Sequence, residues 1–170
     1  MSHLHAVVRS IDAFTEYTGK FLAWLSLLMA ALTALIVLLR YGFNIGSITS
    51  QEAVIYMHGS LFMLGTAYTL KTEGHVRVDI FYQRFSTRTR AWVNSLGGIV
   101  FLLPLCLFIF GVSWDYVAQS WAIRETSPEP GGIPAVFLLK TLLPIMALNL
   151  LLQGTAEILR NAMILVEDPE

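Results

Sequence analysis

Four long runs without a charged side chain dominate this sequence and limit what it can fold into. Residues 21–39 are nineteen uncharged positions between Lys20 and Arg40, residues 53–70 are eighteen between Glu52 and Lys71, and residues 91–114 are twenty-four between Arg90 and Asp115. A fourth run, residues 134–156, is interrupted only by Lys140 near its start. As helices, all four are long enough to cross about 30 Å of hydrocarbon. The chain of 170 residues is 55% hydrophobic and 14% charged, with a mean hydropathy of +0.63. A small soluble fold has too little interior to bury that much apolar surface. The expected fold class is an all-α integral membrane protein. Residues 1–170 should form a single four-helix domain with spans at about 21–39, 53–70, 91–114 and 134–156.

The net charge of −1 conceals an asymmetry in where the eleven basic residues fall. With both chain ends cytoplasmic, the inner side carries eight Lys and Arg and the outer side three. The positive-inside rule then predicts an N-in, C-in topology, with residues 71–90 as the main cytoplasmic loop and residues 115–133 as a periplasmic loop. The polar start contains Asp12 and Glu16 as well as Arg9 and Lys20, and no small-residue cleavage site follows, so the first span is expected to stay in the mature protein.

Between spans two and three, Phe81, Tyr82, Phe85, Trp92, Val93 and Leu96 recur near helical spacing, with Gln83, Arg84, Arg88 and Arg90 on the other side. This pattern predicts an amphipathic helix lying in the membrane interface. Arg84, Arg88, Arg90 and Trp92 would anchor it to lipid headgroups. In span one, Ser26, Ala30 and Ala34 offer a small-residue packing stripe. Pro104 and Pro144 should kink spans three and four and free the carbonyls of Val100 and Lys140. Pro134 is placed in the first turn of span four. Lys140 is near enough to the outer surface to snorkel. Cys106 is the single cysteine, in the middle of span three, and reads as an apolar filler.

Span two is the most polar of the four, with His58, Ser60, Thr66, Tyr68 and Thr69 among its residues. An ionisable group at membrane depth is a functional candidate. His58 has three readings: a proton-coupling group, a haem ligand, or a hydrogen-bonded residue at a helix interface. The last is the commonest fate of such a histidine. Haem between helices needs a second axial ligand at matched depth, and His3, His5 and His75 all lie outside the runs. No phosphate loop, metal-ligand cluster or activated nucleophile is present, and no charge sits at the centre of a span. The residues alone describe a four-helix scaffold that needs a partner, with no catalytic residue, substrate site, metal site, cofactor or nucleic-acid contact.

Certain motifs are similar to those of a known family. They are "LRYGFN" at 39–44, "SQEAVIYMHGSLFMLGTAYTLKTEGHVRVD" at 50–79, and "SPEPGGIPAVFLLK" at 127–140. Their order and spacing resemble the small membrane subunit of TRAP transporters, the DctQ-type permease component. The resemblance implies two protein partners: a large multispanning permease subunit carrying the substrate and sodium sites, and a periplasmic substrate-binding protein. It implies that the small subunit braces the elevator motion of the large one during uptake of a small organic anion. Glu52, Gly74, His75, Arg77 and Asp79 match recurrent family positions and would have structural or interface roles, with Gly74 ending span two through a positive φ. Glu125 and Glu129 would lie where the binding protein docks, although an acidic loop is more often simply solvated. Rival readings are the small subunit of a tripartite tricarboxylate transporter, a haem-binding membrane anchor using His58, and a homo-oligomeric exporter.

Overall fold

A computed structural model describes residues 2–75 and 82–167. The described residues are helical with short connections, and no strand occurs among them. Helix α1 runs Ser2–Phe43 and α2 runs Ile48–Lys71. Helix α3 (Thr87–Gly97) passes through a π-helical segment, Gly98–Leu102, straight into α4 (Leu103–Ala122). Helix α5 is Val136–Glu167.

Three of these bodies are long and apolar enough to cross a membrane: His3–Phe43, Thr87–Ala122 and Val136–Val166. Helix α2 is diluted by His58, Ser60 and three threonine or tyrosine side chains in its second half, yet its 24 residues still reach about 36 Å at 1.5 Å per residue.

Helix α5 is the hub. It packs against α1, α2, α3, the π-segment and α4, and its Ala147, Gln153 and Ala156 have no exposed surface. Small residues let neighbours come close. A β-carbon added at Gly154 would sit 2.7 Å from Leu102, and one at Gly98 would sit 2.7 Å from Ile158. These reciprocal approaches seat the π-segment on α5, where close packing substitutes for the missing hydrophobic drive between helices in lipid. Val8, Ala156 and Met163, with Ile11 and Leu159 beside them, form the core where α1 meets α5.

Several local expectations need correction. The π-segment precedes Pro104: the Leu103 N–H reaches back to the Gly98 carbonyl, five residues earlier. This wide turn is the distortion that accommodates the proline. Helix α5 runs unbroken through Pro144. Pro134 stands before α5, whose first residue, Val136, gives its N–H to the Glu125 carbonyl at 3.1 Å. Helix α2 ends with Glu73, not Gly74, at positive φ (54°). The Gly74 N–H bonds the Thr69 carbonyl at 2.9 Å and the Glu73 N–H bonds that of Leu70 at 3.2 Å, which is the Schellman pattern. Helix α4 ends the same way, with Arg124 at φ 50°, the Glu125 N–H on Ser120 and the Arg124 N–H on Trp121.

Trp92, Val93 and Leu96 lie in the first turns of the long helix that begins at Thr87, capped by the Ser86 hydroxyl. Within the described part of the 71–90 loop, Tyr82 is helical and the chain turns at Gln83–Phe85, with the Phe85 N–H on the Tyr82 carbonyl at 3.1 Å. The remainder of the expected interfacial helix falls on residues 76–81, outside the described residues.

Candidate functional site

Polar side chains gather at two levels of the bundle. At the first level, Asp12, Thr15 and Glu16 of α1 meet Lys71 of α2 and Gln153, Glu157 and Arg160 of α5. Fully buried Gln153 accepts from the Thr15 hydroxyl at 2.8 Å and donates to Asp12 and Glu157, both at 3.1 Å. Arg160 spreads its guanidinium between Asp12 (2.7 Å) and Glu157 (2.6 Å). The Lys71 ammonium reaches Glu16 at 2.7 Å and the Asp12 carbonyl at 3.1 Å. A few residues along, Asn94 of α3 joins Tyr82 to Asn161 of α5. Each of these partly buried charges has an opposite charge beside it, the condition under which such groups are tolerated when drawn from water.

At the second level, the segment between α4 and α5 folds back over the end of α2. Glu52 accepts from the Ser127 hydroxyl and, at 2.5 Å, from the Ile133 N–H. Thr49 donates to the Gly131 carbonyl at 2.6 Å. Glu125 takes the Lys140 ammonium at 2.6 Å and the Ser120 hydroxyl at 2.7 Å. Lys140 with Ser120 holds the Glu125 carboxyl below the usual carboxylate range, against a smaller opposing effect of desolvation. The ammonium also lies 4.1 Å from the centre of the Tyr116 ring, within cation–π range.

The two levels are evenly separated. Glu52 and Lys71 are 19 residues apart on α2, and Lys140 and Glu157 are 17 apart on α5, or about 29 and 26 Å of helix. Exposed aromatics mark both levels, with Tyr17 and Trp92 at the first and Trp114, Tyr116 and Trp121 at the second. Between them the outer surface is apolar, as at Phe101, which is 73% exposed. The Thr33 hydroxyl there is spent locally, donating to the Met29 carbonyl. Cys106 is buried and its thiol is free.

The site residues expected from sequence thus divide. Glu52 is a latch for the loop. Glu125 is committed to Lys140, whereas Glu129 leaves its carboxylate exposed and uses its backbone within the turn. Arg84, Arg88 and Trp92 are exposed; Arg90 instead binds the carbonyls of Phe85 (3.0 Å) and Gln83 (2.8 Å). Gly74 serves the α2 terminus. His75 lines a cleft of about 300 Å³ with Glu73, Asn94, Glu157 and Asn161 among its walls. Arg77 and Asp79 lie outside the described residues. His58 is exposed on α2, beside the Phe62 ring at 6.4 Å, and has no hydrogen-bond partner among the described residues. Sequence reasoning missed the Asp12–Gln153–Arg160 network. The available signal was a glutamine inside an apolar run, followed four and seven residues later by Glu157 and Arg160.

Among the described residues, no three His, Cys, Asp or Glu side chains converge as metal ligands. Charge confined to two levels, with an apolar exterior between them, defines the chain as a helical membrane protein. The profile of the tripartite ATP-independent periplasmic transporters, DctQ component, matches residues 29–163. The chain belongs to that family, which supplies a transporter component and not an enzyme. It is 23% identical over 128 residues, 71% of its length, to the C4-dicarboxylate TRAP transporter small permease protein DctQ of Vibrio cholerae. The match covers 54% of that relative, so the chain spans about half its length. No solved structure matches.

Proposed function

We propose that this chain crosses the bacterial inner membrane four times, N-in and C-in, and acts as the fixed small subunit of a TRAP importer. Its task is to brace a large sodium-coupled elevator subunit that takes up a small organic anion delivered by a periplasmic binding protein. The observation that carries this reading is the reach of α2. That helix is anchored by Lys71 at one polar level and by Glu52 at the other, so it must cross whatever α1 and α5 cross, despite its polar composition. Four crossings return the chain to the side it left. The excess of basic residues around the Asp12 level makes that side cytoplasmic.

The bracing role is supported by what the interior is made of. Its ionisable groups are tied into pairs at the two ends, which suits a static scaffold better than a moving carrier. At the periplasmic level the loop of residues 123–135 is held by Glu52 and Lys140 and presents Glu129 outward, a surface available to a binding protein. Uptake measured in cells lacking and carrying this chain, together with the large subunit, tests the proposal. Transport should need both subunits, and full uptake by the large subunit alone would refute a bracing role.

A further inference from the structure

Helices α2 and α3 both pack on α5, and a cleft of about 300 Å³ opens over α5 between them. Its walls change character with depth. At the rim stand Glu73 and His75, just past the end of α2, with Glu157 of α5. Deeper, the walls are Leu70, Gly97, Leu102 and Gly154. From Asn161 at the rim to Gly154 is seven residues of α5, about 10 Å of descent from the first polar level into the apolar zone.

A missing side chain keeps the deep part open. Gly154 is small because Leu102 packs on it, but Gly97 serves no such contact: a β-carbon there would meet nothing within 4 Å. Its backbone is ordinary right-handed helix (φ −59°), which any residue adopts and in which glycine is destabilising. What Gly97 provides is room. The rim, in turn, is acidic. Glu73 and Glu157 border it, and among the described residues no Lys or Arg lines the cleft. Glu157 already holds Arg160 and the Gln153 amide, yet a carboxylate has about four acceptor sites. Such a rim attracts an ammonium group and disfavours a headgroup of net negative charge. A quaternary ammonium would match the charge but could donate no hydrogen bond. The His75 imidazole supplies an N–H for a phosphate.

We propose that this cleft binds one phospholipid with a primary-amine headgroup, of the phosphatidylethanolamine type. Its ammonium lies at Glu73 and Glu157, its phosphate at His75, and the first part of an acyl chain over Gly97 between Leu102 and Gly154. The order of the walls, polar at the level of Asp12 and Arg160 and apolar below it, is the order of a phospholipid standing in its leaflet. The lipid fills the gap that α2 and α3 leave over α5. The proposal goes beyond the small-subunit reading and needs only that these helices cross a bilayer.

The test offers the full chain, purified in mild detergent, equal amounts of phosphatidylethanolamine, phosphatidylglycerol and phosphatidylcholine, and reads bound lipid by native mass spectrometry. Wild type should retain one phosphatidylethanolamine per chain, several-fold above either competitor. Gly97→Phe places a ring in the cleft and should lose most of that adduct at an unchanged unfolding midpoint. Glu73→Lys, at an exposed position, should turn the preference toward phosphatidylglycerol, which a merely loosened fold would not do. Should Gly97→Phe lower the midpoint, that reversal decides alone. Equal retention of the three lipids, as a bulk annulus gives, would overturn the proposal, as would a preference that Glu73→Lys leaves unchanged. A Gly97→Phe chain that keeps its lipid and instead loses a co-purifying protein would overturn it too, and would assign the cleft to that protein.

Discussion

The Arg160 guanidinium of α5 stands 2.7 Å from the Asp12 carboxylate of α1, across 148 residues of sequence. The pair sits at the edge of a network centred on Gln153, whose amide is fully buried. Replacing Gln153 with Leu strands the Thr15 hydroxyl and one oxygen each of Asp12 and Glu157. The expected cost is about 1–3 kcal/mol, the penalty for an unsatisfied buried polar group. Thermal unfolding of the detergent-solubilised chain should show a lower midpoint than wild type, and an unchanged midpoint would mean that the network contributes little.

Glu52 holds the loop between α4 and α5 through Ser127 and the Ile133 N–H. Glu52→Ala should therefore raise hydrogen exchange across residues 125–136 several-fold while leaving α5 beyond residue 145 protected. Equal exchange in both proteins would show that the ends of the loop suffice to hold it.

The same loop should respond to acid. Glu125 titrates below the ordinary carboxylate range because Lys140 and Ser120 favour its charged form. A depressed folded pKa means stabilisation that is complete above the unfolded value and lost as pH falls through the folded one. Compared with Glu125→Gln at each pH, the wild-type loop should be better protected from exchange at pH 6, with the difference shrinking as pH falls below the ordinary carboxylate range and through the depressed folded value. A difference that does not shrink on acidification would assign the protection to something other than this ion pair.

Arg124 ends α4 at φ 50°, in a region that side chains with a β-carbon occupy at a cost. Arg124→Gly should stabilise the chain by about 1 kcal/mol, read as a rise in unfolding midpoint in detergent. A fall would indicate that the arginine side chain makes a contribution larger than the backbone strain.

The helices were legible in the sequence because uncharged runs of this length have few other outcomes. Their ends were less so. Helix α1 begins well before residue 21, since an amphipathic pattern through Val8, Ile11 and Thr15 continues it along α5, and charge alone hid that continuation. Glu52 was legible as important but not as a loop latch, because its partners are 75 and 81 residues away. Glu73 replaced Gly74 at the positive φ because the position is set by where the last helical hydrogen bonds fall and not by residue preference alone. His58 was expected to bond to another helix. Its place on the outer stripe follows from which sides of α2 meet α1 and α5, and no single-sequence periodicity reports that.

The central claim is that this chain works as a fixed subunit beside a larger permease. Affinity purification of the tagged chain from native membranes in mild detergent, with mass spectrometry of what co-elutes, tests it most directly. The account predicts a stoichiometric polytopic partner several times the size of this chain. Recovery of the chain alone, or only with copies of itself, would contradict it.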